Sequence, residues 1–389
     1  MGEVLFEVTD EHLETGMRGY PVGYCVTSSV DPTKGLFYMG RPVGEMSHWS
    51  PEETIYLINY GRMGTEDELK AFSQELAERG KLNLKTVEAI KRLPREGHPM
   101  KLFSCALLIA GMFEGTGDYK EDCLNVIAKM PEIVATLINH HAGWGDSKPS
   151  KPQLGYMENF AHMLNVPNAS IDDLIRVMRV FNVLHYDHGG GNLSAFTGKA
   201  VASGLADMYA SLSASMDALS GPRHGKANQD CLQFVKAVLD EVGPKATPQQ
   251  IEALIRKRLE NNELVYGFGH AVLRVEDPRA TVLYGIASEY YPDDPLVTIA
   301  LLLRSVGSKV LSENPKISDP HPNVDAISGT LLSASGFPYP EYYTVLFGLS
   351  RCVGIARQIV YERIEARRGK GTPIIRPKYY FKEQSLVHG

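Results

Sequence analysis

Residues 170–184 restrict the possible fold more than any other stretch. Ser170 followed by Asp173 reads as a helix start, and Leu174, Ile175, Val177, Met178, Phe181 and Leu184 follow. Their apolar arc is too wide for a helix with one face in water, so this helix must be buried and other helices must cover it. Candidates are plain along the chain. Ser50-Pro51-Glu52-Glu53 gives a cap, a first-turn proline and a capping-box acid. Thr65 with Glu68 repeats the device ahead of Leu69, Phe72 and Leu76, and Gly80 reads as the stop. Residues 208–219 are rich in Ala, Ser and Met, which permits close helix contacts. Thr247-Pro248-Gln249-Gln250 opens an amphipathic helix with Ile251, Leu254, Ile255 and Leu259 on one face. Apolar helix returns from Leu331 through Arg351. The first forty or so residues read as extended: 24–30 and 36–39 flank Asp31-Pro32-Thr33-Lys34-Gly35, a hairpin turn. The fold class is therefore mainly α with a small N-terminal β-hairpin.

At 389 residues the chain can bury a large core, and length alone suggests two or three domains. A net charge of −6, from 40 basic and 46 acidic residues, argues against a general nucleic-acid coat. It leaves room for a local basic pocket that takes a small anion. Cys25, Cys105, Cys123, Cys231 and Cys352 form no CxxC pair and leave one over, which fits reduced thiols rather than a disulfide framework. The first residues are acidic where a targeting leader would be basic, and no apolar run approaches bilayer-spanning length; 105–112 is apolar but short. The expectation is a cytoplasmic protein with no membrane association, a mature organellar protein with its leader removed being the other reading. From Ala366 the tail is basic, and Pro373 and Pro377 bracket Arg376, so it reads as extended. There is no internal repeat.

Three stretches carry chemistry. GFGHAVLRVEDPR (267–279) gathers one imidazole, two guanidiniums and carboxylates around glycines that let backbone approach a ligand. It is not a dinucleotide fingerprint, because the third glycine is missing. GPRHGKANQ (221–229) and PNVDAISG (322–329) add a histidine and a carboxylate in small-residue settings. A fourth, HYDHGGGN (185–192), ends the core helix. His185 and His188 lack a third ligand nearby, which argues against zinc; a histidine held at a helix end and facing a cleft is the preferred reading, a plain glycine helix stop the ordinary one. For any of these histidines alone, a satisfied core position would be the simpler account.

Taken in order, these stretches resemble the citrate synthase family, in particular its si-type, animal-like dimeric branch. GFGHAVLRVEDPR fits the family signature throughout. GPRHGKANQ, HYDHGGGNLSAFT, PNVDAISG and YYTVLFGLSR support it independently, and Gly16-Met17-Arg18-Gly19 extends the likeness to nearly the whole chain. The resemblance implies a two-domain, almost entirely helical homodimer: a large domain of 1–224 plus 331–389, a small domain of 225–330, and an active site in the cleft between them. It implies condensation of acetyl-CoA with oxaloacetate and hydrolysis of citryl-CoA to citrate and CoA. No cofactor beyond the coenzyme A thioester substrate is implied, no metal, and no nucleic-acid partner.

By the same resemblance Asp325 is the base, His224 stabilises the enol, and His270 polarises and protonates the ketone. His188, Arg279 and Arg351 bind oxaloacetate, with Arg376 reaching into the partner subunit's site. Arg18 and Arg274 meet the CoA phosphates, and Leu264, Val265, Gly267, Gly269 and Asn323 contact the rest of CoA. For a single arginine the safer alternative is a solvated ion pair. Four positions depart from the pattern. Gly189 replaces a glutamate, which questions the support of His188; Ser318 stands in place of a lysine, with Lys316 the candidate substitute; Arg223 and Lys226 flank His224 and are expected to lower its pKa. A 2-methylcitrate synthase acting on propionyl-CoA differs by one methyl, about 1–3 kcal/mol in an apolar pocket, and stays open. A citryl-CoA lyase module and a silent CoA- or citrate-sensing protein are the remaining alternatives.

Overall fold

A computed structural model describes residues 3–383. The capping signals are used where the sequence puts them. Ser50 and Thr65 each close a capping box at the start of α1 (Pro51–Tyr60) and α2 (Glu66–Arg79). Asn83 caps α3 (Leu84–Ile90), the His98 ring caps α4 (Pro99–Glu114), and Asp118 caps α5 (Tyr119–Ala142). Then come α6 (Tyr156–Met163) and α7 (Ile171–Leu184), whose Ser170 cap accepts the Asp173 N–H. In α7 Leu174, Val177, Met178, Phe181 and Leu184 are all buried, each contributing roughly 1.5–3 kcal/mol of apolar transfer.

α8 (Leu193–Ser203) and α9 (Met208–Leu219) lie close together, with Ser215 occupying the space a side chain at Gly198 would need. The remaining helices are α10 (Ala227–Val242), α11 (Pro248–Glu260, opened by the Thr247 box), α12 (Pro278–Tyr290), α13 (Pro295–Ser312), α14 (Asp325–Ala334) and α15 (Tyr343–Val360). A π-turn at Tyr361–Glu365 follows, and left-handed Arg367 and Arg368 (φ 54° and 61°) turn the chain into an extended tail.

The N-terminal hairpin is shorter at its start than the sequence suggests and gains a partner. β1 (Ser28–Asp31) pairs antiparallel with β2 (Gly35–Tyr38), and β3 (Arg41–Pro42) adds a third strand. Residues 24–27 lie outside the strand, although the Thr27 carbonyl still accepts the Met39 N–H at 3.0 Å while its hydroxyl donates to the buried Asp187. Asp31 Oδ1 accepts the N–H groups of Thr33 and Lys34, closing the turn. Gly35 (φ +98°) lets the hairpin tip sit against Pro278, and the Pro32 carbonyl accepts the Arg274 N–H at 2.8 Å. The small sheet thus braces the loop that carries the signature residues.

Most buried side chains belong to one core running from α1 to α15. A second core joins α10, α11 and α13 through Phe234, Val238, Ile251, Ile255, Ile299, Leu303 and Val310. α13 corrects one expectation from the sequence: it is long and apolar enough to cross a bilayer by length and composition. Its Val297, Ile299, Ala300, Leu303 and Val310 are instead buried against protein.

Candidate active site

The C-terminal end of α7 and the middle of α15 are locked together. Gly354 donates its N–H to the Tyr186 carbonyl at 3.0 Å, and only a glycine fits there because Asp187 fills the space of a side chain. Asp187 is wholly buried and accepts from Thr27 Oγ1, Ser28 Oγ (2.8 Å), Gln358 Nε2 (2.8 Å) and the His188 N–H (2.9 Å). Burial still pushes its carboxyl up from the ordinary value, against those donors and the nearby Arg351 charge. The loop after it is pinned: the Gly189 N–H donates to Ser28 Oγ at 2.7 Å, and Asn192 Nδ2 donates to the Gly189 carbonyl at 3.0 Å. Gly189 has φ +73°, a conformation that a glutamate would adopt only under strain. Support for His188 therefore comes from Asp187, Ser28 and Asn192, which answers the question that the missing glutamate raised.

His188 ends this scaffold with its Nε2 buried and without a hydrogen-bond partner among the described residues. Its ring lies 5.2 Å from that of His270. Burial, then Arg279 and Arg351, hold it well below the ordinary imidazole range, so it is neutral.

His270 hangs on a zipped pair of loops. Asn323 donates its backbone N–H to the Gly267 carbonyl and its Nδ2 to the Gly269 carbonyl, both at 2.9 Å, and Gly269 donates to the His321 carbonyl at 3.0 Å. Gly267 and Gly269 take φ +84° and +85°, and a side chain at 267 would strike the Ala326 backbone. Phe268 seats its ring on Gly307 of α13. Nδ1 of His270 accepts from the N–H groups of Val272 (3.0 Å) and Leu273 (2.9 Å). An accepting nitrogen carries no proton, so the neutral ring keeps its proton on Nε2. Burial, helped by Arg279, lowers its pKa.

His224 shows the mirror case. Its Nε2 accepts the Ser194 N–H at 3.2 Å, leaving the proton on Nδ1. Burial lowers its pKa to about 4, and the cation that adds to this is Arg351. The sequence expectation for Arg223 and Lys226 fails here: Arg223 is exposed, Lys226 lies 3.9 Å from Asp230, and neither acts on His224.

Asp325 opens α14, held by its N–H to Asn323 Oδ1 at 3.0 Å. Its carboxylate accepts no hydrogen bond from a described residue, and burial pushes its pKa up to about 6 against the pull of Arg279. Arg279 is 3% exposed and forked onto Asp277 through Nε (3.0 Å) and Nη2 (2.7 Å). Arg351 is 2% exposed, donates Nε to the His185 carbonyl at 3.1 Å, and stacks 4.6 Å from the Phe347 ring. No carboxylate among the described residues lies within ion-pair distance of it, and burial pulls its pKa down to about 10. A buried cation without a protein counter-ion carries a desolvation cost that an added anion would offset.

These groups come together: Arg279 and Arg351 act on His188, and both act on Asp325. The proposed CoA residues divide. Val265, Gly267, Gly269 and Asn323 belong to the zipped loops; Leu264 is exposed at their edge, and Arg274 is exposed with its Nη1 on the His270 and Leu273 carbonyls. Lys316 is exposed nearby in sequence, as is Ser318. Arg18 and Arg376 are exposed, without an ion pair among the described residues. The tail is tied by the Ile375 N–H to Ser203 Oγ at 3.0 Å. Ser203 ends α8, about 14 Å along the helix from Ser194 beside His224. A cavity of about 440 Å³ elsewhere, lined by Glu88, Lys91 and Asp146, is self-neutralised, with Lys91 on both acids at 3.1 and 3.0 Å.

Sequence reasoning missed Asp187, Asp277 and Ser194. Asp277 had a signal, since Asp-Pro is a cap followed by a first-turn proline, and the Asp277 cap is seen. Asp187 and Ser194 act across long sequence separations and left none.

Comparison with known proteins follows the same lines. Residues 16–378 match the family described as "Citrate synthase, C-terminal domain". "Citrate synthase 4, mitochondrial" of Arabidopsis thaliana is 35% identical over 398 residues, covering 96% of this chain and 82% of its own. The mitochondrial citrate synthase of Daucus carota is 36% identical, covering 96% and 83%. Citrate synthase from Thermotoga maritima MSB8 superposes with a TM-score of 0.80 at 26% identity, covering 96% of this chain and 97% of that one. The Thermoplasma acidophilum enzyme, solved as a ternary complex with carboxymethyl coenzyme A and oxaloacetate, gives 0.78 at 26% identity, covering 96% and 99%. The plant relatives are mitochondrial by name, which overturns the cytoplasmic expectation.

Proposed function

The chain belongs to the citrate synthase family, whose members are acyltransferase-type enzymes, and from that premise we propose the roles of its individual residues. Asp325 removes a methyl proton from acetyl-CoA. The charge that develops on the thioester oxygen is met by the Nδ1–H of His224, and the resulting enol carbon attacks the ketone of oxaloacetate. Nε2–H of His270 polarises that ketone and protonates the new alkoxide. Water then cleaves citryl-CoA to citrate and CoA. Arg351, the free edge of Arg279 and the unpartnered His188 Nε2 hold the dicarboxylate. The observation that carries the reading is the pair of histidines whose tautomers backbone N–H groups fix. Two neutral donors beside a carboxyl of raised pKa suit enolisation, where stabilisation is needed as charge forms.

Thiol release measured with acetyl-CoA and with propionyl-CoA tests it. Release with acetyl-CoA that depends on oxaloacetate is expected. Preference for propionyl-CoA would make 2-methylcitrate the product, and no release with either would leave a silent binding protein.

The division into 1–224 plus 331–389 and 225–330 belongs to the same reading and is supported by the separate core of α10, α11 and α13. So does the homodimer. Along α4, Cys105, Leu108 and Met112 form an exposed apolar stripe at helical spacing, the sort of face a second copy covers. Arg376, tied to the far end of α8, suits a partner's cleft better than its own. Mixing Arg376→Ala with Asp325→Asn protein and exchanging subunits should restore activity, since each mixed dimer carries one site with both groups. No recovery after demonstrated exchange would place Arg376 outside any shared site.

A further inference from the structure

The loop that carries His270 is held at both ends by one face of α13. At its start, the Phe268 ring lies so close on Gly307 that no side chain fits there. At its end, Glu276 is forked by Arg304, one turn before Gly307 on the same face: Nε donates to Oε2 at 2.9 Å and Nη2 to Oε1 at 2.5 Å. The same Oε1 accepts Thr281 Oγ1 at 2.6 Å, and the Arg304 guanidinium lies 4.5 Å from the centre of the Tyr284 ring. Thr281 and Tyr284 stand on the first two turns of α12, which opens with Pro278 and Arg279. Arg304 therefore meets, directly or through Glu276, both the end of the loop and the helix start that presents Arg279.

The Arg304 and Glu276 side chains are 32% and 25% exposed, a setting in which an ordinary ion pair adds little to stability. This pair differs in its geometry. A two-bond fork from a planar guanidinium fixes the direction of the carboxylate as well as its distance, and stacking on Tyr284 fixes the guanidinium. Glu276 precedes Asp277, whose carboxylate takes Arg279 Nη2 at 2.7 Å and whose N–H donates to the Pro322 carbonyl at 3.1 Å. A carboxylate fixed at 276 limits how far Asp277 and the arginine it grips can turn. We propose that Arg304 is a positioning residue for substrate binding: through Glu276 it sets the orientation in which Arg279 meets the dicarboxylate. The inference rests on the role proposed for Arg279.

Arg304→Met removes the fork and keeps an apolar stem over Tyr284; Arg304→Lys returns the charge and a donor to Glu276. Arg256 supplies a control of the same kind. It forks onto Glu313 at 2.8 and 3.1 Å, at the C-terminal end of α13 and about 13 Å along the helix from Arg304. Arg304→Met should weaken oxaloacetate binding in calorimetric titration, and raise its KM, roughly three- to tenfold, the worth of a charged hydrogen bond in part-exposed surroundings. At saturating oxaloacetate kcat should stay within about twofold of wild type, the mark of lost binding rather than lost chemistry. Arg304→Lys should recover a large part of the affinity, and Arg256→Met should leave it unchanged. Wild-type affinity in Arg304→Met would overturn the inference, as would an equal loss in Arg256→Met or a fall in kcat with KM unchanged. If the wild type itself binds no oxaloacetate, the role of Arg279 fails, and backbone hydrogen exchange over 276–284 without ligand decides the positioning. Faster exchange in Arg304→Met than in Arg256→Met is expected, and equal exchange would overturn it.

Discussion

Asp325→Asn lowers turnover by roughly 10²–10⁴, the usual range for loss of a general base, while oxaloacetate affinity stays near wild type. Steady-state thiol release and calorimetric titration with oxaloacetate measure the two halves. The substitution is nearly isosteric, and the carboxylate it removes accepts no hydrogen bond from a described residue, so nothing is orphaned. Its pH dependence follows from the same surroundings. Burial raises this carboxyl to about 6, and a base must be ionised, so wild-type kcat should fall as pH drops through about 6. The residual rate of the variant should lack that limb. Stability should move the other way. A carboxyl whose folded pKa lies above its unfolded value destabilises the fold above the lower value, and that penalty vanishes below it. The variant should therefore be more stable to unfolding at pH 8, by at most roughly 3 kcal/mol, and match the wild type near pH 3. Turnover within a few-fold of wild type would remove Asp325 from the base's role.

How much of this was legible in the sequence depended on range. Local signals did well: the Ser50 and Thr65 boxes, the start of α7 at Ser170 and the Thr247 box are all present as the residues demand. α3, α5, α6 and α13 carried weaker marks and were not drawn from the sequence at all. α5 even contains Pro131 within its span, a residue that argues against a helix unless the surrounding packing outweighs it. Motif residues could be picked out singly, but not their protonation. The proton position on His224 is set by Ser194, thirty residues earlier, and on His270 by the turn that its own glycines permit. The charge acting on His224 comes from Arg351, not from its sequence neighbours. Side chains next to one another in sequence often diverge in space, and the expectation for Arg223 and Lys226 failed for that reason.

Arg351 gives the second large effect, and a sharper separation of function from stability. Arg279 and Arg351 are both buried, yet only Arg279 has its own carboxylate, Asp277. Removing Arg279 would strand that acid, at a cost of about 3–5 kcal/mol, so loss of activity there would not distinguish binding from folding. Arg351 has no such dependant. Asp187, the acid that acts on it most strongly, keeps four donors of its own. Burial lowers the Arg351 pKa to about 10, so its charge at neutral pH disfavours the folded state by roughly 3 kcal/mol. Arg351→Met loses the bond to the His185 carbonyl and the stacking on Phe347, together about 1–2 kcal/mol, and in exchange removes the greater penalty of the buried charge. Its melting temperature should equal or exceed that of the wild type. The same change deletes the one buried cation without a protein counter-ion among the described residues, so kcat/KM for oxaloacetate should fall roughly 10²- to 10³-fold, the worth of a buried charge pair with a ligand. A KM for oxaloacetate within threefold of wild type would show that the dicarboxylate is held elsewhere. A drop in both melting temperature and activity would mean that this guanidinium is there for the fold, with Asp187 as its true partner.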